Sequence, residues 1–240
     1  MKNIFWEYTN MRIDKFISNL WYGSRKQVGE YIKNEYIAVN DETIYEKDYE
    51  IHYWDIISIG EKKIEYKEYI YLLLNKPVWY ISSKKSEWWH PSYLELLEDC
   101  PYSKIIDIVG RLDFDTSGFL LLTNDGSLTH KIISPKKDIF KKYYVVGEKN
   151  LSEKDVQKLE NWVKIDDTIS KPAKVEIIDE NKIYLSISEG RFHQIKKMFE
   201  AIENKVTELK RVSIGWLTLW NLPLWEWKYL TEEEVKKLFE

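Results

Sequence analysis

The sequence predicts an α+β protein with two domains, a small helical and β domain in residues 11–60 and a larger domain in residues 69–240. In the first segment, two amphipathic helix patterns precede a short strand pattern. In the second, short β-rich runs bounded by Gly, Pro, Asn or Asp alternate with helix patterns. A late hairpin pattern indicates that the larger domain has a mixed, largely antiparallel sheet.

The first domain begins with a helix pattern in "MRIDKFISNL", whose apolar residues recur at the spacing of one helix face: Ile13, Phe16, Ile17 and Leu20. A second helix is predicted after Ser24, because Gln27 follows three residues later, as in a capping box. "YIAVN" then predicts a short strand that ends in a turn at Asn40–Asp41. These elements are sufficient for a compact module that ends near residue 60.

Residues 61–68 are rich in charge and poor in apolar groups, so we expect them to form the linker. Beyond them, strands are predicted for "YIYLLLNKP", "KIIDIVG", "FLLLTNDG" and "KYYVVG". "AKVEIIDENKIYLSIS" alternates on both sides of "DEN" and predicts a hairpin. Helices are predicted after Ser152, from His193, and after Thr231 with Glu234 at the third helical position.

The composition limits the classes of function. The 240 residues are 44% hydrophobic and 32% charged, which is typical of a globular protein. No apolar run approaches the roughly 20 residues of a membrane helix, and the N-terminus lacks a signal-peptide pattern. The single cysteine, Cys100, excludes an internal disulfide and a cysteine-based zinc site. We therefore expect a cytoplasmic protein without a membrane partner. The net charge of −4 argues against a nucleic-acid partner unless basic groups cluster locally.

The most informative segment is "GRLDFDTSGFLLLTNDG", which runs from Gly110 to Gly126. Asp113 and Asp115 lie in its polar part, beside Arg111 and between two apolar strand patterns. One interpretation is a catalytic loop. The other is a turn whose Asp and Thr side chains cap backbone groups, and the residues alone leave both open.

Two further segments combine cations with other polar or aromatic groups. In "EGRFHQIKKMF", the charged face of a predicted helix supplies Arg191, Lys196 and Lys197 next to His193; a solvated helix face is the alternative. In "FKKYYVV", a strand begins with the four residues Lys141, Lys142, Tyr143 and Tyr144. Packing against neighbouring strands is the alternative for these tyrosines.

Together these motifs resemble the RsuA-like class of RNA pseudouridine synthases, which modifies ribosomal RNA. "GRLDFDTSGFLLLTNDG" is similar to the central motif of that class, "KYYVV" to its second motif, and "SEGRFHQIKKMF" with "ELKRVSIG" to its third. "RIDKFISNL" with "GSRKQVGEYIKNEYIAVN" resembles the S4 RNA-binding domain. The resemblance extends from about Met11 to Phe239. It implies an S4-type N-terminal domain followed by a pseudouridine synthase catalytic domain.

The resemblance also implies roles for individual residues. Asp113 matches the catalytic aspartate, and Lys196 matches the basic residue that pairs with it. Tyr144 matches the tyrosine that lies against the target base. Arg111 matches the arginine that helps hold the nucleotide out of its stack, which the reaction requires because the glycosidic bond of stacked RNA is inaccessible. No metal or organic cofactor is implied.

RNA binding is expected at Ser24, Arg25 and Lys26, because a helix N-terminus with two cations favours phosphate. Arg191 and Lys197 are expected to contribute in the second domain. A solvated helix start is the alternative for the first group. The expected partner is 16S rRNA or a small-subunit assembly intermediate, bound by a monomer. A large-subunit (23S) rRNA synthase and a non-catalytic RNA-binding or ribosome-assembly factor are the alternatives.

The sequence has 11 tryptophans and 9 glycines, whereas an average chain of this length would contain roughly 17 glycines. Compared with the family pattern, seven tryptophans stand where glycine is expected: Trp21, Trp54, Trp79, Trp162, Trp216, Trp220 and Trp225. Trp88 and Trp89 are possible additions, and Trp227 matches a tryptophan. Our hypothesis is that UGA codons encode glycine in the source organism and are rendered here as tryptophan.

Overall fold

The computed structural model describes residues 10–20, 22–87, 89–161 and 163–239, and they divide into two compact units. The first unit contains the residues up to Ile70 together with Glu98–Ile106. The second contains Tyr71–Leu97 and the residues from Asp107 onward. Each unit has its own sheet.

The described part of the first unit contains these strands and helices: β1 Met11–Arg12, α1 Ile13–Asn19, α2 Arg25–Lys33, β2 Ile37–Val39, β3 Glu42–Thr43, β4 Glu50–Ile51, β5 Ile56–Ile59 and β6 Lys62–Glu65. β3, β2, β5 and β6 form an antiparallel sheet in that order, and β1 pairs with β4. The predicted apolar stripe of α1 is buried. The Ser24–Gln27 capping box begins α2, so both predicted helices are confirmed.

The predicted linker at residues 61–68 is wrong. These residues contain β6, in which Ile64 pairs with Ile57 of β5. Ile64 and Tyr66 are almost fully buried, because the alternation of charged and apolar residues puts the apolar side chains on the inner face of the sheet. The boundary therefore lies at Ile70.

The second unit contains the remaining elements: β7 Tyr71–Lys76, a 3-10 helix Tyr93–Leu97, β8 Asp107–Val109, β9 Ser117–Thr123, α3 Gly126–Ile133, β10 Lys141–Gly147, α4 Glu153–Glu160, β11 Lys164–Ile165, β12 Thr168–Ile169, β13 Lys174–Asp179, β14 Lys182–Ile187, α5 Gln194–Glu200, β15 Val206–Ile214, β16 Leu217–Thr218, β17 Trp227–Tyr229 and α6 Glu232–Lys236. The predicted strands and the hairpin β13–β14 are present. Ser152 and Thr231 cap α4 and α6 as expected. Helix α3, which begins after Asp125, was not predicted.

The large sheet has the order β13-β14-β10-β15-β9-β7-β17, and β16 and β8 pair with β15 and β9. Among the described strands, only the β15–β9 pair of this sheet is parallel. The prediction of a mixed, largely antiparallel sheet is confirmed. The parallel pair brings Arg211 of β15 opposite Gly118 of β9, immediately after the Asp113 loop.

A hydrophobic core connects the helices of this unit to one face of the sheet. Val145 and Leu185 of the sheet belong to the same buried cluster as Ile195, Met198 and Phe199 of α5. Burial of this face of α5 fixes the direction of its other face, which carries Lys196. No helix in the described ranges is long and apolar enough to cross a membrane.

Several tryptophans lie in turns with unusual backbone geometry. Four of them have positive φ: Trp54 at 72°, Trp79 at 72°, Trp220 at 46° and Trp225 at 78°. Trp216 is not among the residues with positive φ, so strain is not found there. The positions Trp21, Trp88 and Trp162 lie outside the described residues.

Candidate active site

A cleft of about 390 Å³ lies beside the loop that connects β8 to β9. This size is typical of small-molecule sites. The cleft is lined by Asp113 and other residues of that loop, by the first residues of β10, and by the start of α5. The candidate residues of three separate sequence motifs therefore meet in one cavity.

Asp113 and Lys196 form the predicted ion pair, with Lys196 Nζ 3.1 Å from Asp113 Oδ2. The same ammonium lies 2.6 Å from Asp115 Oδ1. Burial lowers the pKa of Lys196, but its hydrogen bonds to Asp115 and Asp113 outweigh that effect and raise the pKa above its ordinary value. The charged ammonium of Lys196 therefore orients the carboxylate of Asp113 through a charge-assisted hydrogen bond.

His193 is a second neighbour of the carboxylate. It precedes α5 in a left-handed conformation, with φ 53°, and its Nε2 is 3.6 Å from Asp113 Oδ2. Its ring stacks on Phe192 at a centroid distance of 3.8 Å. Phe192 lines the cleft with a largely exposed ring.

Arg211 connects the two ends of the Asp113 loop. Its Nε donates to the carbonyl of Phe119 at 2.8 Å, and an Nη donates to the carbonyl of Gly110 at 3.0 Å. Gly118 is required at the close approach of β9 and β15, because a Cβ there would lie 2.2 Å from the carbonyl oxygen of Arg211. These contacts hold the loop, and with it Asp113, against the sheet.

Tyr144 was predicted to lie against the target base, but it does not line the cleft. The prediction of this residue is therefore wrong. Side chains alternate between the two faces of a strand, and in β10 it is Lys141 and Tyr143 that line the cleft. Tyr144 lies against Tyr184 of β14, at a ring distance of 6.0 Å. The tyrosine available to contact a bound base is therefore Tyr143.

The comparisons with known proteins identify the family. The model of RNA pseudouridylate synthases matches residues 70–201. The chain belongs to the RNA pseudouridylate synthase family. It is accordingly an isomerase that converts uridine into pseudouridine.

Similar proteins include a ribosomal small subunit pseudouridine synthase A of Escherichia coli, 35% identical over 94% of this chain and 98% of the relative. A ribosomal large subunit pseudouridine synthase B of Bacillus subtilis is also 35% identical, over 95% of each chain. A crystal structure of a pseudouridylate synthase, 33% identical, covers 95% of this chain and 99% of its own, with a TM-score of 0.67.

The remaining expected site residues of this synthase, the catalytic Arg111 and the RNA-binding group, differ in whether their side chains already have partners within the protein. Arg111 lines the cleft, is exposed, and has no ion pair or hydrogen bond among the described residues. Arg191 instead bonds Thr168 Oγ1 at 2.6 Å and the carbonyl of Ile169 at 2.7 Å. Its guanidinium therefore holds both residues of β12.

Lys197 also has an internal partner, since its ammonium forms an ion pair with Asp166. In the first unit, Arg25 and Lys26 are exposed at the start of α2, and Ser24 uses its hydroxyl to accept from the backbone N–H of Gln27. Arg25 and Lys26 therefore remain candidates for phosphate contacts, whereas Ser24 caps the helix.

Three groups of this synthase received no role from the sequence: Lys141 and Tyr143, which were among the candidates, and Arg211. Strand parity relative to the buried Val145 could have selected Tyr143 and Lys141, because residues two apart share a face. Arg211 in "LKRVSIG" gave no local signal, since its partners Gly110 and Phe119 are about 90 to 100 residues away. Its role follows only from the pairing of β15 with β9.

Proposed function

We propose that this synthase isomerises a specific uridine of ribosomal RNA, in the small-subunit (16S) RNA. The observation that carries the proposal is the carboxylate of Asp113, paired with Lys196 inside the cleft. The relatives named above act, by their names, on ribosomal RNA of the small or the large subunit. The motifs "NKPVWYIS", "KPAKVE" and "SEGRFHQIKKMF" favour the small-subunit class.

The proposed mechanism uses residues of the cleft alone. Asp113 stabilises or attacks the electron-poor C1′ of the ribose as the N1–C1′ bond breaks, as carboxylates do in glycosidases. The uracil rotates, C5 bonds to C1′, the C5 proton leaves, and N1 gains a proton. Atoms and electrons balance, because the product is an isomer of the substrate.

Two other groups orient the nucleotide in this proposal. Tyr143 lies against the flipped base, and Arg111 occupies the rim, where it helps to keep the nucleotide out of its stack. The first unit, whose order of helices and strands is consistent with an S4 domain, supplies further RNA contacts at Arg25 and Lys26. This distribution reconciles a net charge of −4 with an RNA substrate.

The experiment is incubation of the protein with small- and large-subunit rRNA in parallel, as naked RNA and as ribosomal particles, followed by mapping of pseudouridine. We expect one new pseudouridine in the small-subunit RNA. Asp113→Asn should reduce its formation by about a thousandfold or more, while RNA binding persists. Product in the large-subunit RNA alone would overturn the subunit assignment, and no product in any RNA would overturn the proposed function.

A further inference from the structure

Lys141 is a buried cation whose ammonium has no acceptor among the described residues. It is 8% exposed and lines the cleft. Two other buried cations of this unit are paired: Lys76 donates to the carbonyls of Pro77 and Tyr80, and Arg211 to those of Gly110 and Phe119. A buried charge without a partner is costly, so its retention in a cleft points to an anionic ligand.

The groups around Lys141 add positive charge that no nearby carboxylate fully compensates. Burial and the nearby guanidinium of Arg211 lower the pKa of Lys141 to about 8. The carboxylate that raises this pKa, Asp138, forms its ion pair with Lys171 at 2.6 Å. Near neutral pH the ammonium is therefore still charged, and its positive potential is incompletely compensated.

The distance from Lys141 to Tyr143 indicates which anion Lys141 binds. Lys141 and Tyr143 are two residues apart on the same face of β10, so their Cα atoms are separated by about 6–7 Å. A backbone phosphate lies at a similar distance from the base of its own nucleotide. A base against Tyr143 would thus bring its phosphate within reach of Lys141.

We propose that Lys141 binds the 5′ phosphate of the target nucleotide and so fixes the flipped uridine in the cleft. This proposal rests on the proposed function, because it requires an RNA nucleotide at Tyr143. The phosphate supplies the missing charge, and the ammonium at the cleft forms a charge-assisted hydrogen bond with it.

The experiment compares two short RNAs that contain the mapped uridine, one natural and one with a neutral methylphosphonate 5′ to that uridine. Binding is measured in the Asp113→Asn background, which prevents turnover. The protein with Lys141 should bind the methylphosphonate RNA about tenfold more weakly. K141Q should bind the two RNAs equally, and K141R should restore the discrimination.

Lys142 provides the matched control. It is the same residue type on the opposite face of β10, where it pairs with Glu176 at 2.7 Å, so K142Q should retain the tenfold discrimination. Discrimination that persists in K141Q, with the Tm showing a folded protein, would overturn the proposal. Pseudouridine formation is measured separately, on the natural RNA and with Asp113 present. A lack of product in that measurement would contradict the proposed function, whereas the binding comparison tests only the role of Lys141.

The backbone of the tryptophan turns carries a second, independent inference. Positive φ is a genuine outlier for a bulky residue and is readily adopted by glycine. Trp54, Trp79, Trp220 and Trp225 all have φ between 46° and 78°, and each side chain is more than half exposed. Their indole rings are thus placed largely in solvent, on a backbone that suits glycine.

We infer that these four positions are glycines in the native protein, encoded by UGA codons. The shortage of glycine in the chain is consistent with this assignment, with 9 glycines and 11 tryptophans. Trp227 is the internal contrast, since it lies in β17 without positive φ and packs against Tyr229 at a ring distance of 5.2 Å. The sign of φ therefore separates the four turn tryptophans from Trp227, independently of any comparison with related sequences.

The decisive measurement is the mass of the peptide from Val212 to Lys228, taken from protein made in its own host. Glycine at 220 and 225 with tryptophan at 227 is the expected result, and a mass with tryptophan at 220 and 225 would overturn the inference. Stability gives a second test with recombinant protein. W220G and W225G should raise the Tm, whereas the control W227G should lower it; a lower Tm for all three would contradict the inference.

Discussion

At the scale of single residues, two lysines of the same cleft have opposite environments. Lys196 has two carboxylate partners, and its pKa is raised. The stabilisation from this pair is complete below the ordinary lysine pKa of 10.5 and is lost as the pH rises through the higher folded value. Lys141 has no carboxylate partner among the described residues, and burial lowers its pKa to about 8. One lysine therefore supports the fold, while the other costs stability.

The cost at Lys141 gives a prediction with a defined pH range. Below pH 8 the folded protein carries the buried charge, and between 8 and 10.5 the unfolded state binds more protons, so the cost disappears as the pH rises. We expect K141M to raise the free energy of unfolding at pH 7 by about 2 kcal/mol. The gain should vanish near pH 10.5. Urea denaturation at both pH values measures it.

Lys142 again serves as the control for this prediction. Its ion pair with Glu176 is partly exposed, and such pairs contribute little to stability, so K142M should change the free energy of unfolding only slightly at either pH. A loss of stability in K141M at pH 7 would show that Lys141 contributes to folding, contrary to the expected trade-off between stability and RNA binding.

At the scale of elements, β10 determines which tyrosine can act. Tyr143 lines the cleft, whereas Tyr144 lies on the other face of the sheet and packs against Tyr184 of the neighbouring strand. Helix α5 is equally important for the site, because the burial of Ile195 and Met198 directs Lys196 toward Asp113. The site is thus formed by the orientation of one strand and one helix.

The alternation in β10 predicts different effects for two equivalent substitutions. Tyr143→Ala should lower kcat/KM for pseudouridine formation by about tenfold or more, because the ring that lies against the base is removed. Tyr144→Ala should leave kcat/KM within about twofold of the unsubstituted protein. Steady-state rates on the mapped rRNA fragment measure both. Equal activities, or a larger effect at Tyr144, would contradict the assignment of Tyr143.

At the scale of the whole molecule, the chain combines an acidic net charge with local cations in two separately folded units. The exposed cations Arg25 and Lys26 lie at the start of α2 in the first unit. The carboxylate of Asp113, paired with Lys196, lies in the second unit. Binding and chemistry are therefore expected to respond to different substitutions.

Substitution of both first-unit cations tests this separation. R25Q/K26Q should weaken rRNA binding and reduce the slope of log K against log salt by about 1.4–1.8, the value for two phosphate contacts. The rate at saturating RNA should remain unchanged, so KM rises and kcat does not. Gln at these exposed positions keeps the Ser24–Gln27 cap intact. An unchanged salt slope would exclude these two residues from the RNA contact.

The sequence by itself determined the local elements of this protein. Periodicity located α1, α2 and α5, capping residues located the starts of α2, α4 and α6, and the motif around Asp113 indicated the chemistry, because these signals depend on residues within one or two turns of each other. The predicted linker at 61–68 was wrong because the apolar residues of a short edge strand are few. The excess of tryptophan over glycine in the sequence pointed to Trp54 and the other turn tryptophans as unusual. Their positive φ could not be predicted from the sequence.

Only the tertiary structure decided which groups meet. The ion pair of Lys196 with Asp113 joins residues 83 positions apart, and before the structure only the family resemblance implied it. Arg211 reaches the loop through the parallel pairing of β15 with β9. Whether Tyr143 or Tyr144 faces the cleft depends on which side of β10 the helices cover. Arg191 could not be distinguished from a free cation until its partners at Thr168 and Ile169 were known. These facts arise from long-range packing, which local sequence patterns do not encode.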